Sequence, residues 1–97
     1  MDHIKDLKIV ITAGASGIGS EVAIALSKAG AKVMICDVNR KILKSFSNNN
    51  PEIYAYHADV SSESDVHSFF KHIKNKFNSI DVLINNAGIS GLSLIHI

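Results

Sequence analysis

A single cysteine, Cys36, excludes an intrachain disulfide and a metal cluster built on thiolates. It closes an apolar run beside Ile35 and reads as a small buried hydrophobe rather than a nucleophile. Long apolar runs are also missing: no stretch approaches the roughly 20 residues that a membrane-spanning helix needs. The opening Met1-Asp2-His3-Ile4-Lys5-Asp6 lacks the apolar core of a secretory signal, which predicts a cytoplasmic protein. Neither sign of charge is in excess. Ten Lys and Arg against nine Asp and Glu leave a net charge of +1, and the basic residues stand singly instead of forming a stripe, so nucleic acid is not a predicted partner. The five histidines share no ligand spacing; His67 and His72 do not fall well on one helix face, and no metal is predicted. What is present is 46% apolar and 20% charged residues in 97, the composition of one small globular domain at most.

The periodicity predicts seven elements in strict alternation. Lys8 to Thr12 is an apolar strand, and Gly17 to Lys28 a helix with Ile18, Val22, Ala25, Leu26 and Ala29 on one stripe. Ala31 to Cys36 reads as a strand buried on both faces, because Val33, Met34 and Ile35 are consecutive. A short helix from Arg40 to Phe46 turns Ile42, Leu43 and Phe46 inward and is broken by Asn48-Asn49-Asn50-Pro51. Ile53 to Ala58 is a third strand. Ser62 and Asp65 make a slightly irregular capping box ahead of Val66, Phe69, Phe70, Ile73 and Phe77, the clearest amphipathic pattern in the chain. Ile80 to Ile84 is a fourth strand, followed by an Asn85-Asn86-Ala87-Gly88 turn. The connections are too long for hairpins, so the strands are predicted to be parallel with right-handed crossovers. In a doubly wound α/β sheet their spatial order would be 3-2-1-4.

Ligand chemistry in such a sheet belongs at the carboxyl ends of the strands. Four features converge there. Thr12-Ala13-Gly14-Ala15-Ser16-Gly17-Ile18-Gly19 joins the first strand to the first helix; a helix N-terminus offers unpaired N–H groups and partial positive charge, and glycines let a pyrophosphate approach them. Asp37 ends the second strand, 18 residues past Gly19, where a carboxylate can accept hydrogen bonds from a ribose diol. As an alternative it serves as a strand-end or N-cap residue, a service Asn39 also offers. Asp59-Val60 either opens the loop before the third helix or sets a carboxylate beside an adenine amino group. Asn85 and Asn86 are turn-formers whose amides can tie neighbouring strand ends together or reach a cofactor.

These residues resemble the short-chain dehydrogenase/reductase family. Its pattern is Thr-Gly-x-x-x-Gly-x-Gly after the first strand, Asp-Val after the third, and Asn-Asn-Ala-Gly after the fourth. Thr12, Gly17 and Gly19, then Asp59-Val60, then Asn85-Asn86-Ala87-Gly88 match, from about Lys8 to Gly91. One position departs: Ala13 stands where a glycine is usual, and Gly14 next door is a candidate to absorb the strained dihedral. The resemblance implies a Rossmann-type sheet, of which residues 1–91 would be the N-terminal part of the dinucleotide-binding domain. It implies hydride transfer between a nicotinamide cofactor and an alcohol or carbonyl, in a protein that forms homo-oligomers. By that analogy Gly14, Ala15, Ser16, Gly17, Ile18 and Gly19, after Thr12, embrace the pyrophosphate, Asp37 the adenosine ribose, and Asp59 and Val60 the adenine. Asn86, Ala87 and Gly88 lie nearer the nicotinamide. NAD is the expected cofactor. The 2′-phosphate of NADP would meet Asp37 as like charge, and Ser16 is not the basic residue that NADP-preferring relatives often carry there; only Arg40 softens this. A non-catalytic NAD-binding regulator and a methyltransferase remain alternative readings, the second disfavoured by Asn-Asn-Ala-Gly.

The family's catalytic Ser, Tyr-x-x-x-Lys and helix Asn have no counterpart in the chain: four residues after Tyr54 and Tyr56 stand Ala58 and Val60. No residue is therefore assigned to catalysis, and the catalytic half is expected beyond Ile97. The last six residues, Leu92-Ser93-Leu94-Ile95-His96-Ile97, are what the transposase mosaic end CTG-TCT-CTT-ATA-CAC-ATC encodes, so residues 92–97 are expected to be a translated adapter. Without later elements the fourth strand would carry an unpaired edge.

Overall fold

The computed structural model describes residues 4–86. In chain order its elements are β1 (Lys8–Thr12), α1 (Gly17–Lys28), β2 (Lys32–Asp37), α2 (Arg40–Asn49), β3 (Tyr54–His57), α3 (Glu63–Phe77) and β4 (Val82–Asn85). The strands form one parallel sheet in the order β3-β2-β1-β4. This is the doubly wound α/β arrangement anticipated from the crossover lengths.

Strand alternation divides the core in two. On one face Ile9 and Ile11 of β1 and Val33 and Ile35 of β2 pack with Ala15, Ala23, Leu43 and Phe46, beneath α1 and α2. On the other, Val10, Met34 and Cys36 pack with Phe69, Ile73 and Phe77 of α3. Both central strands are thus sealed between helices, which is why Val33, Met34, Ile35 and Cys36 are at most 1% exposed. Lys8 locks the far end of the sheet. Its N–H donates to Asp81 Oδ2 and its Nζ to the Phe77 carbonyl, both at 2.8 Å, joining β1 to the end of α3 and the start of β4.

Several details differ from the sequence reading. The buried stripe of α1 is Gly19 and Ala23, flanked by half-buried Val22 and Leu26, while Ile18, Ala25 and Ala29 face outward. Its close approach at Gly19 sets the helix rotation, which apolarity alone does not reveal. α2 continues through Asn48 and Asn49 and stops at Asn50, because only Pro51 forbids helix. Ile42 is 39% exposed while Leu43 and Phe46 are buried. β2 begins at Lys32 and includes Asp37, β3 is shorter at both ends, and β4 is displaced to Val82–Asn85 because Asp81 pairs with Lys8 ahead of it. On α3, Phe70 is 51% exposed. Within the described residues β4 pairs with β1 alone, and Leu83 is 41% exposed beside a 190 Å³ apolar hollow lined by Val60, Val66, Phe69 and Phe70.

Candidate functional site

The loop Ala13–Ser16 leaves β1 and rises over the end of β2. Gly14 N–H donates to the Cys36 carbonyl at 3.1 Å, extending the sheet ladder one step into the turn. A Cβ on Gly14 would sit 2.6 Å from Ile35 Cγ2, so this glycine is required by space. Left-handed geometry is found instead at Ala13, φ 53°, and at Gly17, φ 59°. The expectation that Gly14 would absorb the strain left by Ala13 is thereby corrected: the dihedral is imposed by the strand exit at position 13, and the alanine adopts it at a cost of about 1–2 kcal/mol.

α1 begins differently from the other two helices described. Asn39 caps α2, its Oδ1 accepting from Lys41 N and Ile42 N, and Ser62 caps α3, which also has Glu63 and Asp65 in its first turn. At α1 the N-cap Ser16 makes no side-chain cap bond, and no acidic residue stands in the first turn. Its leading N–H groups therefore keep their partial positive charge toward the open end of the sheet.

Asp37 lies under this loop by strand parity, on the same face of β2 as Ile35. It is 7% exposed. Its Oδ2 accepts from Ala15 N and its Oδ1 from Asn39 N, both at 3.1 Å. The helix-capping alternative thus falls to Asn39, while Asp37 holds two loops.

Asp59 follows β3 and accepts through Oδ1 from Ser61 N at 2.9 Å and Ser61 Oγ at 2.6 Å. The Ser61 hydroxyl, then its N–H, with the nearby His57 adding to them, hold the Asp59 carboxyl below the usual carboxylate range. Its own N–H donates to Asp65 Oδ2 at 2.9 Å. The capping box is therefore open: Ser62 Oγ accepts from Asp65 N, but the Asp65 side chain reaches Asp59 instead of Ser62. That role for Asp65 was not read from the sequence; its only signal was the irregular box.

Between these loops lies a 260 Å³ cavity whose lining includes Ala13, Asp37, Val38, Asp59, Val60 and Ser61. Asp37, Asp59 and Val60 meet there as their strand-end positions implied, and Ala13, Val38 and Ser61 were not foreseen. Cys36 also touches it from below; burial pushes its thiol up to about 11, the Asp37 charge acting in the same direction. On the other side of β1, Thr12 Oγ1 donates to Asn85 Oδ1 at 2.8 Å, and Asn86 Nδ2 donates to the Ala13 carbonyl at 3.1 Å. Through these two bonds the asparagines tie neighbouring strand ends together. Gly19 completes the contact: a Cβ there would lie 2.6 Å from both the Ala13 carbonyl oxygen and Asn86 Nδ2. Ile18 and Val60 are exposed at this end, 67% and 38%. Ala87 and Gly88 lie outside the described residues, as do residues 92–97.

The sequence model of the family described as short chain dehydrogenase matches residues 7–96. The chain is 41% identical over 83 residues to a short chain dehydrogenase/reductase, dpfgG, of Gibberella zeae, covering 82% of this chain and 31% of that protein. It is 34% identical over 93 residues to an uncharacterized oxidoreductase, YxbG, of Bacillus subtilis, covering 92% and 34%. The fold is similar to a crystal structure of 3-ketoacyl-(acyl-carrier-protein) reductase from Brucella melitensis complexed with NADH. The TM-score is 0.76 and the identity 30%, over 82% of this chain and 34% of that one. The chain spans about a third of the length of the curated relatives it matches.

Proposed function

This chain belongs to the short-chain dehydrogenase/reductase family, and from that premise we propose that it forms the cofactor-binding part of an NAD-dependent oxidoreductase acting on an alcohol or carbonyl. On this reading residues 1–91 belong to the dinucleotide-binding domain of a cytoplasmic, homo-oligomeric protein. The observation that carries it is the uncapped N-terminus of α1 set beside the buried Asp37 carboxylate, at the strand ends where a 260 Å³ cavity opens.

The turn from Gly14 to Gly19 embraces the pyrophosphate, its N–H contacts falling to Ser16 through Gly19 because Gly14 N–H and Ala15 N–H are bonded to the Cys36 carbonyl and to Asp37, and Thr12 holds the turn through its bond to Asn85. The carboxylate of Asp37 accepts the ribose hydroxyls. Asp59 and Val60 enclose the adenine, the first as acceptor for its amino group and the second as an apolar wall. Asn86, with Ala87 and Gly88 after it, lines the way to the nicotinamide. Bound there, the nicotinamide supplies hydride transfer; the residues of this chain bind and orient it. NAD is preferred over NADP because a 2′-phosphate would approach a buried carboxylate that no ion pair neutralises among the described residues.

Titrating the full chain with NADH and NADPH while following nicotinamide fluorescence tests this. NADH binds more tightly, and Asp37→Ala narrows the gap. Absence of NADH binding overturns the cofactor site, and tighter NADPH binding overturns the assignment to NAD.

A further inference from the structure

We infer that Asp37 is a positioning residue for the phosphate-binding turn, holding it in its binding shape before any nucleotide arrives, as well as the acceptor for the ribose. The inference rests on the dinucleotide reading of the site and names a second job for one of its residues.

The carboxylate is 7% exposed, and no ion pair reaches it among the described residues. Its charge is met instead by two backbone donors from different segments: Ala15 N on Oδ2 and Asn39 N on Oδ1. Bonds to an ionised acceptor are roughly twice as strong as neutral ones. Ala15 directly precedes Ser16, the N-cap of α1, so fixing its N–H aims the leading amides of the helix. Among the described residues no other side chain bonds the segment from Gly14 to Ser16. Gly14 N is held by the Cys36 carbonyl on one side and Ser20 Oγ returns to the Gly17 carbonyl on the other, but Ser16 has no side-chain cap bond. A carboxylate has about four lone-pair sites. Two are used, and two remain for a diol, so both jobs are compatible.

The two roles predict opposite signs for one measurement. If Asp37 served the ribose alone, its removal would leave binding of a diphosphate without ribose hydroxyls unchanged, or strengthen it by deleting a like charge. If it also positions the turn, binding of that ligand weakens despite the deleted charge, because the amides must be ordered on binding.

Calorimetry of the full chain with ADP and with 2′,3′-dideoxy-ADP separates them. Wild type binds both. Asp37→Ala loses about tenfold in affinity for dideoxy-ADP, and Asp37→Asn loses less, since its amide oxygen can still accept from Ala15 N. Unchanged or tighter dideoxy-ADP binding in Asp37→Ala overturns the inference while leaving the cofactor site intact; failure of wild type to bind ADP removes the site and the inference together. A readout without ligand checks the same point. Amide exchange at Ala15 is slow in wild type and accelerates in Asp37→Asn, whose neutral amide oxygen makes a weaker bond than the carboxylate, while Ile11 and Ile35 in the sheet stay protected. Unaltered exchange at Ala15 also overturns it, even if the alanine variant does not fold.

Discussion

Replacing Gly19 by alanine adds one carbon at the tightest point of the site. The new Cβ would lie 2.6 Å from the Ala13 carbonyl oxygen, 2.6 Å from Asn86 Nδ2 and 3.1 Å from Gly14 Cα. Ordinary contact begins near 3.4 Å, so the shortfall is 3.4 − 2.6, or 0.8 Å, at two atoms. Two of the three obstacles are backbone, and the third, the end of the Asn86 side chain, can yield only by giving up its bond to Ala13. α1 must shift off the sheet. Overpacking of this kind costs about 1–3 kcal/mol, and loss of the Asn86 to Ala13 bond adds about 1 kcal/mol. Alanine's better helix propensity returns at most about 1 kcal/mol, less in the first turn. The expected net loss is about 1–4 kcal/mol, and each kcal/mol lowers Tm by about 4–8 °C in a domain of this size. Urea denaturation should show a lower midpoint with an unchanged slope, together with weaker NADH binding. Gly17→Ala is the control: among the described residues nothing stands within 4 Å of its Cβ, and only its φ of 59° is penalised, by about 1–2 kcal/mol. In an Asn86→Ala background the Gly19→Ala penalty should shrink without vanishing, since the carbonyl remains. A Gly19→Ala protein as stable as wild type would refute the geometry of the turn.

Three further outcomes follow from the same site. Ala13→Gly relieves the left-handed strain at φ 53°; it should stabilise by up to about 1 kcal/mol, after the greater freedom of glycine in the unfolded chain is subtracted, and a lower urea midpoint would contradict this. Ser61→Ala removes the 2.6 Å hydroxyl bond to Asp59 and leaves the N–H bond. The Asp59 carboxyl should rise toward its ordinary range, by NMR titration. Because its folded-state pKa is depressed, the stability it lends is present above the unfolded value and is lost as pH falls through the folded one; in the variant that contribution is smaller and its loss is complete at higher pH. Cys36, 0% exposed with its thiol near 11, should resist iodoacetamide at pH 8 until the chain is unfolded. Its pKa is raised, so its contribution holds below the unfolded value and declines as pH climbs toward 11. Rapid native labelling would show that the thiol is reachable from the cavity.

Element type and order were legible because apolar residues recur at two periods that follow from backbone geometry. β1 and α1 fall on the predicted residues, and the consecutive apolar run of β2 announced a strand covered on both faces. The family pattern located the turn, Asp59 and Asn86, and the spacing from Gly19 located Asp37. Less was legible about how each group is used. Apolarity placed Ile18 on the buried stripe of α1, yet the contact made by Gly19, a residue with no side chain, decides which side faces the sheet. Asp65 passed for half of a capping box until its partner proved to be Asp59.

The linear order of residues determined by itself that the strands run parallel, with the glycine turn, Asp37, Asp59 and the asparagines gathered at their carboxyl ends, since long crossovers and apolar runs covered on both faces permit little else. Only the folded chain decided that Ala13 carries the strained dihedral, that Asn86 latches its carbonyl, and that Asp37 grips the loop above it. Those facts depend on distances between segments 22 and 73 residues apart, which local propensity does not encode and which packing of helix against sheet settles.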